Sequence, residues 1–543
     1  MLKEFKKNIY FYLFIASILV IGLFFRIYNL PEILNFHYDQ GRDALVIWDL
    51  INKHKFFLIG PTTGIAGVFR GPFYYYLIAP LYFFGQGNPV WPAVFLAIIS
   101  MLAVLLMYFL AKDIGGKKVG LIAVILGSFS FEVIYASRWL SNPTPMLLLS
   151  MVLVWCLFKI QDGEKKFAWV ILSFILGLSF FHFGSSGELF YFPAVFLFAI
   201  IFKKFPSFKV ALLSLFSFLI TFLPLFIFNL KHGGILLNNI NNIVGSEKSF
   251  GIPTWKFLLD RLTQVFVYLS STIFHNPFDR EIIYLLILGL LFVYLLPKVI
   301  LNNRFKVVFI VLLSPVVGLL FYQGNYGNFY QYYLTGYYLI FLLGLSYFVG
   351  VMFEQKKLFR ILPLYFLIFF VLQNYMFIKP YLNTGKNDPG AIVLGTQKEA
   401  IDNSLKELRK KDSIVVLMDA TGTKFNQQKS MEMSKIKHLI LIAGHYEGVD
   451  HRVHEHLVDE VISIGDYVLT GGEIPSMVLV DSIIRLIPGV LGKDESSSIE
   501  SHMEPGYLEY PQYTRPEKYN GWDVPKVLLS GNHQEIDTWR KKH

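Results

Sequence analysis

Thiol chemistry is almost absent from this chain: its 543 residues include one cysteine, Cys156, which lies inside an apolar run. A disulfide framework and a cysteine-based metal site are both excluded. Charge is scarce too. Asp, Glu, Lys and Arg make up 16% of the residues, whereas a soluble domain carries roughly 25%. Internal repeats, low-complexity tracts and the phosphate-cradling G-x-G-x-x-G pattern are missing. No clean small-residue cleavage site follows the basic, then apolar start MLKEFKKNIYFYLFIASILVIGLFFRIYNL. That segment reads as a retained membrane helix rather than a removed signal peptide.

Apolar residues are abundant. Hydrophobic residues reach 54%, with 53 Phe and 31 Tyr, and the mean hydropathy is +0.49. Much of the chain is therefore an integral membrane protein. Apolar runs recur at 8–28, 89–111, 118–136, 143–160, 166–183, 188–202, 208–230, 281–301, 305–322, 332–353 and 359–378, which predicts about eleven helical spans. The loops between them alternate in character. KEFKK, AKDIGGKK, KIQDGEKK, KKFPSFK, NNRFK and EQKKLFR are rich in Lys and Arg and belong on the cytoplasmic face. HYDQGRDA, SRWLSNP, HFGSSGE, residues 231–280 and QGNYGNFYQ belong outside. Topology thus accounts for much of the formal net charge of +10 without invoking nucleic acid. An odd number of spans with a cytoplasmic N-terminus leaves residue 380 outside.

Composition changes at YLNTGKNDPG, a turn-rich boundary. The reading is a membrane domain over 1–380, a junction over 381–388, an α/β domain over 389–492 and a C-terminal lobe over 493–543. Beyond the junction, SIVVLMDA, KHLILIAG and DEVISIGDYVL have strand character. KEAIDNSLKELRKKD, PSMVLVDSIIRLIPGVLG and QEIDTWRKKH have helical character. Such alternation predicts a parallel α/β sheet. The glycine pair in SIGDYVLTGGE marks a place where the backbone is approached closely.

The first external loop, FHYDQGRDALVIWDL, carries Asp39, Arg42 and Asp43, and GPFYYYLIAPLYFF follows. A carboxylate there suits general-base chemistry, although Asp39 with Arg42 also fits a solvated loop pair. Arg42, Arg70 and Arg138 are candidates for holding a phosphate, since guanidinium matches phosphate geometry. His37 reads as a loop residue, and Tyr74, Tyr75 and Tyr76 read as an interfacial belt. With its span pattern, this region resembles the GT-C class of membrane glycosyltransferases, in particular its protein-mannosyltransferase-like branch. The resemblance implies Asp39 as the base and a polyprenyl-phosphate-linked sugar as donor, with membrane lipid around the domain.

Four blocks follow in order: LILIAGHYEGVDHRV, SIGDYVLTGGEIPSMVLVDSIIRLIPGVLG, EYPQYTRPE and VPKVLLSGNHQEIDTWR. They resemble bacterial tRNA (guanine-N1)-methyltransferases of the SPOUT class. The resemblance implies a trefoil-knot α/β domain, S-adenosylmethionine as methyl donor, magnesium as a candidate cofactor, tRNA as partner and a homodimer. Its cofactor contacts fall on Gly444, Tyr446, Ile464, Gly465, Asp466, Tyr467, Val468, Leu469, Gly471, Gly472 and Pro475. Catalytic roles fall on Arg485, on Glu447 in the loop facing the base, and on Glu500, where the family has an aspartate. His445 and His451 also depart from the family pattern. The cluster His451, His454 and His456 reads as a solvated helix face, and no side-chain metal site is expected. Only PGAIVLG, 389–395, matches the segment preceding the family's first blocks. The methyltransferase domain is therefore expected to be incomplete and impaired, or the chain a joining of two gene fragments.

Overall fold

A computed structural model describes residues 8–34, 38–61, 63, 68–163, 165–239, 254–275, 281–321, 329–355, 361–384, 405, 408–444, 449, 451–490, 501–503 and 506–543. Packing divides the chain into Met1–Thr396 and Gln397–His543.

The first unit is helical. In chain order, α1 is Ile9–Ile27, α2 Tyr38–Lys53, α3 Phe73–Phe84, α4 Val90–Phe129, α5 Phe131–Arg138, α6 Met146–Asp162 and α7 Lys165–Leu178. Then come α8 Tyr191–Ile201, α9 Phe208–Lys231, α10 Trp255–Ser270, α11 Glu281–Val299, α12 Asn303–Phe321, α13 Tyr338–Phe353 and α14 Ile361–Thr384. Helix occupies each of the eleven expected apolar runs. By length and apolarity, seven helices among the described residues suffice to cross a membrane. The 40-residue α4 counts once there, yet it is a hairpin. Its backbone breaks at Gly115 and at Gly116, whose φ of +82° favours glycine. A Cβ on Gly127 would lie 2.9 Å from Met107 Cε, and one on Gly120 would lie 2.8 Å from the Tyr108 ring. The two halves therefore pack closely against each other. The expected run 118–136 is split at Ser130, where extended φ/ψ ends α4 and α5 begins. Helix α3, outside the expected spans, has 12 residues. At about 18 Å it is shorter than the hydrocarbon core of about 30 Å.

One buried charge of this unit is solvated mainly by backbone. Arg26 is fully buried. Its guanidinium donates to the carbonyls of Gly22 and Gly127 at 2.8 Å each, to Ser128 O at 3.3 Å and to Ser100 Oγ at 3.1 Å. One arginine thereby ties α1 to the α4 hairpin.

Polar contacts sort the loops onto two faces. On one face, Arg304 pairs with Asp113 at 3.2 Å and Asp162 at 2.5 Å. Asn302 Nδ2 donates to Ile114 O at 2.9 Å, and Lys298 Nζ donates to Gln355 Oε1 at 2.7 Å. These join the Lys/Arg-rich loops. On the opposite face, Asn29 Nδ2 donates to Leu382 O at 3.1 Å. Buried Glu132 pairs with His275 Nδ1 at 2.6 Å and accepts from Gln331 Nε2 at 2.7 Å. The end of the last helix thus lies beside the end of the first.

In the second unit, β1 is Ser413–Lys424, β2 His438–Ala443 and β3 Glu460–Ser463, paired in parallel in the order β2-β1-β3. Central β1 buries Val415, Val416 and Leu417. Helices α15, Gln427–Met433, and α17, Glu473–Ile484, supply Met433, Leu479 and Ile483 to the same core; α16 is His451–His456. A short hairpin, β4 Lys518–Tyr519 with β5 Trp522–Asp523, precedes α18, Lys526–Leu529, and α19, His533–Lys542. Asn532 caps α19 by accepting from the amides of Gln534 and Glu535. The strand expected over DEVISIGDYVL is shorter than its apolar pattern suggests. It ends at Ser463, and Ile464–Leu469 leaves the sheet. Strand β1 pairs Ile462 through both Met418 and Thr423, so Asp419–Gly422 bulges out of the ladder.

Candidate functional site

In parallel α/β folds, ligands lie beyond the carboxyl ends of the strands. The bulge of β1 and the loop after β3 open a cleft of about 220 Å³ at that edge. Gly444, Ile464, Gly465, Tyr467, Val468, Leu469, Gly471, Gly472 and Pro475, all singled out from the sequence, line it. The Gly472 amide donates to Gly444 O at 2.6 Å. A Cβ on Gly472 would stand 2.8 Å from both Ala443 Cα and Gly444 N. The glycine pair thus lets α17 start directly against the end of β2. The lining mixes apolar side chains (Met418, Val449, Ile462) with backbone at four glycines, which suits a flat, neutral-faced group held by main-chain hydrogen bonds.

Met418, Asp419, Ala420, Val449, Ile462 and Ser463 also line the cleft and were missed in the sequence. DAT after an apolar strand is a turn signal, and it marked Asp419 and Ala420 only as a strand end. Asp419 has a specific setting. Burial raises its pKa, but the Thr421 amide at 2.9 Å, the Thr421 hydroxyl at 2.7 Å and His454 outweigh burial and hold the carboxyl below its ordinary range. His454 Nε2 lies 3.7 Å from Asp419 Oδ2, and its ring is 5.3 Å from that of His451. Among the described residues, no group of three ligating side chains could hold a metal.

Other predicted residues stand elsewhere. Asp466 is exposed, pairs with Lys424 and does not line the cleft. Arg485 sits at the end of α17 and lines a separate hollow with Met477, Val480, Ile484 and Val490. Tyr446, Glu447, His445 and Glu500 lie outside the described residues, as do His37 and 389–395.

The first unit has a larger cavity, of about 470 Å³, on the face of the Asn29–Leu382 contact. Asp39 and Arg70 both line it, together with Trp139, Asn142, Tyr332 and Tyr333. Asp39 projects from the start of α2 and is bonded by Arg42 Nη1 at 2.8 Å. Arg42 also clamps buried Asp43 at 2.7 Å, and the Tyr75 hydroxyl donates to Asp43 at 2.7 Å. Burial works against the Arg42 charge, but Asp43, Tyr75 and Asp39 outweigh it and push its pKa up. Burial raises the Asp43 pKa, and Arg42 and Tyr75 pull it partly back. Arg70 is set by its own backbone: its amide donates to Pro61 O at 2.9 Å and its carbonyl accepts from Gly60 N at 2.6 Å. Its Nη1 donates to Phe180 O at 3.1 Å.

Of the three candidate phosphate-binding arginines, Arg70 is in the cavity wall. Arg138 is buried and donates to Phe25 O and Tyr28 O at 2.9 Å each, with its guanidinium over the Tyr381 ring. It ties α1 to α14. The tyrosine run is not an interfacial belt. Tyr74 and Tyr75 are buried, and Tyr76 donates to Phe57 O at 2.9 Å and stacks on the Phe57 ring. Trp139, Asn142, Tyr332 and Tyr333 were not singled out in the sequence. Their signal was membership of the two aromatic external loops SRWLSNP and QGNYGNFYQ or the helix that directly follows.

Two comparisons with known proteins bear on these sites. Residues 387–543 match the family described as tRNA (Guanine-1)-methyltransferase, and residues 69–228 match that described as dolichyl-phosphate-mannose-protein mannosyltransferase. The chain is 53% identical over 144 residues to a tRNA (guanine-N(1)-)-methyltransferase of Carboxydothermus hydrogenoformans, covering 26% of this chain and 56% of that protein. A protein of the same description from Dehalococcoides mccartyi is 56% identical over 128 residues, covering 24% and 51%. One from Staphylococcus carnosus is 51% identical over 143 residues, covering 26% and 58%. The chain thus spans little more than half the length of these relatives.

Replacing Gly472 by valine should destabilise the second unit by about 2 kcal/mol or more, because backbone atoms on the facing side cannot yield. Calorimetry of the full chain in detergent should show its transition lowered or lost. A transition at the wild-type temperature would contradict the close approach.

Proposed function

From a C-terminal segment similar to tRNA (guanine-N1)-methyltransferases and an N-terminal part similar to membrane mannosyltransferases, we propose a membrane-anchored transferase with two sites. The second unit methylates N1 of the guanosine following the anticodon of tRNA. The observation that carries this reading is the glycine-lined cleft at the carboxyl ends of β1 and β3. The matched family uses S-adenosylmethionine, which supplies an electrophilic methyl group. Gly444, Ile464–Leu469, Gly471, Gly472 and Pro475 would hold it. Arg485 would steady charge growing on the guanine O6, Glu500 would accept the N1 proton, and Glu447 would face the base. The exposed stripe Ile474, Met477, Val480 and Ile484 on α17 supports a homodimer. Magnesium stays a proposed cofactor. The proposed division remains 1–380, 381–388, 389–492 and 493–543, with a trefoil knot in the third segment.

The test is methyl transfer by the full chain from labelled S-adenosylmethionine to a tRNA transcript. Label should enter N1 of that guanosine, and Arg485→Ala should slow it by about 100-fold. Absence of transfer, or label at other positions, would contradict the reading.

A second reading is favoured by one observation: Leu382 ends beside Asn29, on the face of Asp39. If the Lys/Arg-rich face is cytoplasmic, the chain leaves the membrane outside. The polar stretch 385–404 is unsuited to crossing back. The methyltransferase segment would then sit away from tRNA and be inactive, and the working site would be the Asp39 cavity. There Asp39 would take the proton of an acceptor hydroxyl, and Arg70 would hold the phosphate of a polyprenyl-phosphate sugar. Asp39→Asn should lower sugar transfer from such a donor by at least about 100-fold with expression unchanged. Unaltered transfer would remove Asp39 from the chemistry.

A further inference from the structure

On the first unit, α8 and α12 leave an apolar groove of about 540 Å³ between them. Pro193, Leu197 and Ile201 form one wall, and Ile310, Leu313 and Val317 form the other. At one end Gly318 makes room for the Phe190 ring: a Cβ there would stand 2.0 Å from Phe190 Cδ1. At the other end stands Lys306. The remaining polar side chain in the wall, Ser314, turns its hydroxyl onto Val311 O at 3.0 Å. The groove thus presents hydrocarbon along its length and a single cation at its mouth.

That mouth lies on the face of the Lys/Arg-rich loops, opposite the Asp39 cavity. Arg304 nearby is engaged by Asp113 and Asp162. Lys306 donates to a neutral oxygen, Asn303 Oδ1, at 3.2 Å. Lys203 and Lys204 come shortly after Ile201, the last residue of the other wall, with Phe202 between. From Lys306 to Gly318 the helix rises about 18 Å, close to one leaflet, about half of a 30 Å hydrocarbon core. Leu197, Ile201, Leu313 and Val317 are each around half exposed, so the walls open toward lipid.

We propose that this groove is a binding site for one acyl chain of an anionic phospholipid from the leaflet on the Lys/Arg-rich face, its phosphate held by Lys306 with Lys203 and Lys204. Length selects a single-leaflet chain, and the cationic mouth selects a negative headgroup over a zwitterionic one. It is a site separate from the one proposed for a lipid-linked sugar, since it opens on the other face.

The test follows thermal unfolding of the full chain, purified in detergent and stripped of lipid. Phosphatidylglycerol should raise the unfolding temperature by at least twice the shift given by phosphatidylcholine, and inorganic phosphate should give none. Lys306→Gln, a surface change, should reduce the phosphatidylglycerol shift to that of phosphatidylcholine. Leu313→Trp, which fills the groove from an exposed position, should lower both shifts. Equal shifts from the two lipids, an effect of phosphate alone, or a Lys306→Gln protein that responds like wild type would overturn the proposal.

Discussion

Charge cannot be left unpaired in hydrocarbon, and the arrangement of the first unit depends on that constraint. Its consequences are visible at single residues. Arg26 is buried and surrounded by carbonyls of α1 and the α4 hairpin. Arg138 does the same at the end of α1. On the face of the Lys/Arg-rich loops, Arg304 is the hub for two acids. What remains on the opposite face is a cavity lined with aromatics, one exposed carboxylate and one arginine. The cavity is thus placed by the same rule that places the helices.

The second unit depends on close approach of backbone. Strand β1 bulges at Asp419–Gly422, and Gly472 passes within contact of Ala443 and Gly444. These two departures from regular structure open the cleft. A regular sheet with side chains at those positions would close it. The unit has three parallel strands among the described residues, with β2 and β3 at its edges, so its core rests on few elements and on α15 and α17.

Sequence patterns that act locally were readable. Apolar runs, Lys/Arg loops and the glycine pair each follow from a short stretch, and the helices, the two faces and the close approach at Gly472 match them. Features set by partners distant in sequence were not. Asp419 lines the cleft because β1 shifts register against β3. Arg70 and Arg138 look equivalent in sequence, yet one lies in a cavity wall and the other is buried under carbonyls from α1. Tyr74 and Tyr75 read as an interfacial belt, but Asp43 and the core behind it draw them inward. The span 118–136 was read as unbroken because nothing in its apolar pattern marks the turn at Ser130.

The central claim is sidedness: the chain leaves its last helix on the face of the Asp39 cavity, away from the Lys/Arg-rich loops. The single native cysteine, Cys156, is buried, so introduced cysteines report cleanly. Labelling with a membrane-impermeant maleimide in intact cells should mark one of Asn383→Cys and Lys118→Cys and reach the other only after lysis, since both positions are exposed and on opposite faces. Labelling of both before lysis would contradict it.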